Sequence, residues 1–149
     1  HTALSKYDSK LRQYLPLQYT DKEIWGIRAL NKEQRFAFEC LMDDSISLVS
    51  LIGMAGTGKT LIALAAGLSK TMDALQYKKL LVARPVIPMG KDIGFLPGSK
   101  DEKLHFWMQP IFDNLEFIFS QASTSTEEDK NPEEAVTVLP LLLYLLLML

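Results

Sequence analysis

The sequence predicts an α/β fold, a parallel sheet flanked by helices, and three observations lead to it. The apolar run Leu48-Val49-Ser50-Leu51-Ile52 leads directly into a glycine-rich turn. A helical pattern follows, with Leu61, Leu64, Ala65, Leu68, Met72 and Leu75 at three- and four-residue spacing. A second short apolar run, Lys79 to Ala83, comes next. Strand, helix, strand at this spacing is a βαβ unit, with parallel strands and a right-handed crossover. Only two convincing strands are present, so the sheet is expected to be incomplete, a truncated version with unpaired edges.

Taken in order, residues 1–29 are mixed, with Pro16 and several tyrosines and no clear periodicity, and read as an arm or linker. The domain proper is expected over 30–120. Asn31 is a good N-cap and Gln34 falls at the third helical position, as in a capping box. Phe36, Ala37, Cys40 and Leu41 then make one apolar face, and Asp43-Asp44-Ser45 ends the helix. Residues 47–52 form the first strand, 59–75 the second helix and 79–83 the second strand. The stretch ARPVIPMGKDIGFLPGSKDEK is a long loop beyond the carboxyl end of a parallel strand, where such sheets place ligands. Leu104, Trp107, Met108, Ile111, Phe112, Leu115 and Ile118 return to helical spacing, with Pro110 starting a new helix or kinking this one. Residues 121–134 read as a polar linker. Residues 135–149 end in LPLLLYLLLML, eight leucines in eleven positions, too short to span a bilayer. This tail reads as a core element, a membrane anchor, or a segment foreign to the domain.

The turn carries the chemistry. Residues 53–60 read GMAGTGKT: Gly53, Met54, Ala55, Gly56, Thr57, Gly58, Lys59 and Thr60, the phosphate-binding loop between a strand and a helix. Amides of the turn point at an anion, and the helix behind them adds its positive end. Lys59 neutralises β- and γ-phosphates, and the Thr60 hydroxyl suits Mg²⁺. A bulky residue at Gly58 would obstruct the turn. The expected ligand is a nucleotide's phosphates together with Mg²⁺. The other reading of the segment is a plain glycine-rich turn.

Composition narrows the partners. Residues 1–120 carry 15 Lys/Arg against 13 Asp/Glu, and residues 121–149 one Lys against five acids, so no basic signature argues for nucleic acid by charge alone. Cys40 is the only cysteine, which excludes an internal disulfide and makes a reducing, cytoplasmic setting the expectation. The opening HTALSKYDSK shows no secretory signal. His105 has no second ligand at metal-binding spacing.

Three stretches carry a resemblance: GIRALNKEQRFAFECLMDD, SLIGMAGTGKTLIALAAGL and, above all, LLVARPVIPMGKDIGFLPGSKDEKLHFWMQPIFDNLEF. Over about residues 24–119 the chain resembles the PhoH-like family of P-loop ATPases, in the branch where that domain follows a PIN ribonuclease domain. The resemblance implies a P-loop NTPase fold akin to superfamily 1 helicases, ATP hydrolysis and action on RNA. It makes residues 53–60 the Walker A loop and Gln34 an adenine reader, a role compatible with the capping box. It places Arg84 to Lys91 where such proteins touch the nucleic-acid backbone, and leaves Phe106 and Trp107 either stacking on bases or packing in the core. It also requires a Walker B strand ending in Asp-Glu after the aromatic helix, and no such run follows here. The expectation is therefore a chain that binds Mg·ATP weakly without useful turnover. The alternatives are a regulatory module that joins full-length subunits in a homo-oligomer, and a non-functional remnant.

Overall fold

The structure is a computed structural model and describes residues 3–84 and 100–126, with side chains described over 3–84 and 108–123. Its first two elements are a β-hairpin, β1 (Ser5–Asp8) and β2 (Gln13–Pro16), antiparallel with Tyr7 opposite Tyr14. Asp8 organises the connection by accepting hydrogen bonds from the backbone nitrogens of Lys10 and Leu11, at 2.8 and 2.9 Å. A second, minimal hairpin pairs β3 (Glu23–Ile24) with β4 (Ile27–Arg28). Its two turn residues, Trp25 and Gly26, have φ of 54° and 70°, the positive pair that a two-residue type I′ connection needs. Tryptophan is an awkward occupant of that region. It is held there by its indole Nε1, which donates to Asp73 Oδ2 at 2.9 Å, and by its ring set edge-on to Phe119. The segment expected to be a featureless arm thus contributes two hairpins. Strands of four and two residues are too short to register as a period.

Helix α1 (Lys32–Met42) begins at the expected cap, with Gln34 N donating to Asn31 Oδ1 at 2.9 Å, and ends at Asp43. Its buried side is the expected one only in part: Ala37 and Leu41 pack against the core, but Phe38 and Glu39 are the buried residues and Phe36 is 39% exposed. The reason lies in what packs on each flank. Glu39 reaches back to the arm, accepting from Gln18 N at 2.8 Å and Tyr19 N at 3.3 Å and pairing with Lys6 at 2.8 Å. A buried carboxylate is tolerable only with such partners, and a hydrophobic-face count cannot foresee it.

Helix α2 (Lys59–Leu68) continues into a π-helical turn, Ser69–Asp73, in place of regular helix to 75. Helix α3 (Lys100–Thr126) passes through Pro110 without breaking and takes in residues 121–126, the start of the expected linker. The core joins Ile24, Ile27 and Ala29 of the second hairpin, Phe38 of α1, Ile62, Leu64, Ala65, Ala66 and Leu68 of α2, and Ile118 of α3. Gly26 sits so close to α3 that an added Cβ would lie 2.7 Å from Gln121 Cβ.

The expected parallel sheet is not seen among the described residues. Among the described residues the only ladders are the two antiparallel hairpins, and neither 47–52 nor 79–83 is paired. Residues 48–52 nevertheless alternate like a strand, with Leu48, Ser50 and Ile52 outward and Val49 and Leu51 half-buried. Leu80 packs on α2, where a Cβ on Gly67 would meet its Cδ1 at 2.7 Å. A ladder needs a partner backbone at about 4.8 Å, and the described residues supply none.

Candidate phosphate-binding site

The loop at residues 53–58 is shaped by its glycines. Gly56 and Gly58 both adopt left-handed backbone, φ 77° and 79°, a region that side-chain-bearing residues enter at a cost of roughly 1–2 kcal/mol. A Cβ on Gly58 would lie in contact with Gln34 Nε2 at 3.4 Å. Gly58 is the N-cap of α2 and gives no side-chain cap, and no acid lies in the first helical turn. The first amides of α2 are therefore available to an outside acceptor, with the positive end of the helix behind them.

Several loop carbonyls are already engaged from inside. Thr57 Oγ1 donates to Met54 O at 2.9 Å. Lys59 Nζ donates to Gly53 O at 2.9 Å, to Met54 O, and to Thr57 Oγ1 at 3.1 Å. Among the described residues, the main-chain nitrogens of Met54 through Gly58 donate to no protein acceptor. Acceptors are thus turned inward and donors left over, the polarity an anion requires. Met54, Ala55 and Thr60 are exposed, with Thr60 on the first turn of α2.

Gln34 comes to the same place from α1. Its Oε1 accepts from Leu30 N at 2.7 Å and its Nε2 donates to Thr57 O at 3.3 Å. In a regular capping box the oxygen would take the N-cap amide. Here it takes the amide one residue earlier. Beside these residues a cavity of about 520 Å³ opens between α1 and residues 49–53, apolar along Phe36, Ala37, Cys40, Val49, Leu51 and Ile62, polar at Asn31, Gln34, Thr57 and Lys59. The outward turn of Phe36 and Cys40 into this space was not legible, because helical spacing marks an apolar face without saying what it meets.

The structure thus brings Gln34 and residues 53–60 together. Of the loop expected to meet nucleic acid, Arg84 is described and residues 85–91 lie outside the described residues, as do the side chains of Phe106 and Trp107 and all of the Leu-rich tail. Among the described residues no cluster of His, Cys, Asp and Glu could hold a metal ion, and no helix is long and apolar enough to cross a membrane.

Comparison with known proteins decides the family. The family described as PhoH-like protein matches residues 26–143. The chain belongs to the PhoH-like family. Membership implies a P-loop NTPase fold, the setting in which a glycine loop capping a helix is expected. The match begins in the turn of the second hairpin and runs across residues 121–134 into the Leu-rich tail. This PhoH-like chain is 64% identical to Protein PhoH2 of Bacillus subtilis (strain 168) over 104 residues, 70% of the chain and 24% of that protein. It is 45% identical over 103 residues to Protein PhoH2 of Mycolicibacterium smegmatis, covering 68% of the chain and 24% of the relative. A PhoH-like protein of Bacillus subtilis is 38% identical over 80 residues, 52% of the chain and 24% of its own length. The chain thus spans about a quarter of the length of the curated relatives it matches. No solved structure matches it.

Proposed function

We propose that this chain binds the triphosphate of ATP, with its Mg²⁺, in the loop Gly53–Thr60. The observation that carries the reading is the loop's polarity: left-handed Gly56 and Gly58 open the uncapped start of α2, while carbonyls of Gly53, Met54 and Thr57 are turned to internal donors. Donor-rich backbone at a helix start fits phosphate oxygens. Lys59 would leave its loop carbonyls for the β- and γ-phosphates, and Thr60 would present its hydroxyl to the metal. Hydrolysis is not part of this reading. The RNA-directed action that the resemblance implies is a further proposal, with Arg84 to Lys91 as contacts to the nucleic-acid backbone.

The test is calorimetric titration of the chain with Mg·ATP, alongside thermal melting. Saturation at about a hundred times Kd should stabilise the fold by about 2.7 kcal/mol. A folded chain that takes up no heat and melts unchanged at millimolar Mg·ATP would refute the reading.

A further inference from the structure

We propose that Gln34 is a positioning residue for the phosphate loop, tying the start of α1 to Thr57 so that the loop is set before any ligand arrives. The proposal rests on the phosphate-binding reading and says how that site is held in shape. Thr57 lies between the two left-handed glycines, so the orientation of its peptide fixes where the neighbouring amides point. Gln34 Nε2 holds that peptide by its carbonyl at 3.3 Å, and the same amide group lies 3.4 Å from where a Cβ on Gly58 would stand. The other end of the amide is fixed too, by Leu30 N at 2.7 Å, and the backbone of Gln34 is held by the Asn31 cap at 2.9 Å. A side chain tethered at both ends has already lost its rotamer freedom, so it orders what it touches at little further cost. The chemistry also specifies an amide. A carboxylate could still accept from Leu30 N, but it would set its second oxygen against Thr57 O and add a negative charge beside the phosphate position.

Adenine recognition by Gln34 makes a different forecast, so the experiment compares ligands with and without that base. Wild type, Gln34→Ala and Gln34→Glu are titrated with Mg·ATP, Mg·GTP and inorganic tripolyphosphate, and backbone order parameters are measured on the ligand-free chains. Positioning requires that Gln34→Ala weaken all three ligands by the same factor, roughly three- to tenfold, and that Gln34→Glu weaken them further. It also requires that, without ligand, the order parameters at Thr57 and Gly58 fall from the rigid range near about 0.85 toward about 0.6, while those in the middle of α2 stay unchanged. A loss confined to ATP, or unchanged loop order in ligand-free Gln34→Ala, overturns the proposal. If wild type binds none of the three ligands, the phosphate-binding reading fails alone, and the ligand-free measurement still decides the role of Gln34.

Discussion

The ammonium of Lys59 is shared between two loop carbonyls and the Thr57 hydroxyl, so a nucleotide has to draw it away from partners it already has. Lys59→Ala removes the charge-assisted contact to phosphate, about 1.5–3 kcal/mol, and titration should show Mg·ATP affinity falling at least roughly tenfold while the melting temperature without ligand changes little. On α1, Glu39 is buried at 4% exposure and satisfies two backbone nitrogens of the arm. Glu39→Ala leaves those donors unpaired and should cost about 1–3 kcal/mol in urea unfolding. Charge partners also set the pH limits. The hydrogen bond to Glu39, more than any other contact, raises Lys6 above its ordinary 10.5, with Asp43 adding to it. Asp43 is lowered below its ordinary 3.8, chiefly by the Ser45 hydroxyl, and Asp44 is lowered chiefly by Lys70. The raised lysine contributes fully below pH 10.5 and loses its contribution as pH climbs through the higher folded value. The lowered carboxylates contribute above pH 3.8 and lose theirs as pH falls through the lower folded values. Melting curves across pH should therefore show an acid limb below about 4 that Asp43→Asn diminishes. An acid limb of the same size in Asp43→Asn would remove Asp43 from its cause.

Between elements, the closest approach is that of the second hairpin to α3. At Gly26 a methyl group would meet Gln121 Cβ at 2.7 Å and Gln121 C at 2.8 Å, on a backbone with φ of 70°. Strain and overlap both act, and the backbone atoms of a helix cannot swing aside. Gly26→Ala should destabilise the chain by about 1–3 kcal/mol, read as a lower midpoint in urea unfolding. A midpoint equal to wild type would mean that hairpin and helix are not docked this way. Elements that announce themselves locally were legible: the Asn31 cap, the glycine turn opening α2, and the periodic run of α3. The hairpins were not, because their strands span at most two periods and the turn residue of the second, Trp25, is a type that turns disfavour. The burial of Glu39 next to Phe38 on α1 was hidden for another reason. It depends on Glu39 finding partners 20 and 21 residues earlier in the chain, a tertiary fact with no local signature. That Gln34 and the 53–60 loop lie together was readable from the residues; their binding of a nucleotide is the proposal above. How they meet, with Gln34 on the Thr57 carbonyl and Lys59 folded onto its own loop, depends on coordinates that spacing does not encode.

Over the whole molecule, apolar side chains that the sequence assigns to a sheet stand in solvent. Leu48, Ile52 and Leu81 are 83%, 96% and 77% exposed, and Met54 in the loop 82%. Single exposed hydrophobics are ordinary on a protein surface. Here two of them share the outward side of one strand-like run, whose backbone has no ladder among the described residues. An unpaired, apolar strand is a template for pairing with another chain. The chain alone is therefore expected to associate as concentration rises, and sedimentation at tens of micromolar should give a mass above the 16.8 kDa of one copy. Charged residues at outward positions oppose such pairing, so Leu48→Lys with Ile52→Lys should return the mass toward a single copy. Because both side chains point away from the core formed by α1, α2 and α3, the double variant should melt within a few degrees of wild type. Wild type sedimenting as one copy throughout, or a double variant that associates as strongly, would place the cause of any association elsewhere on the surface.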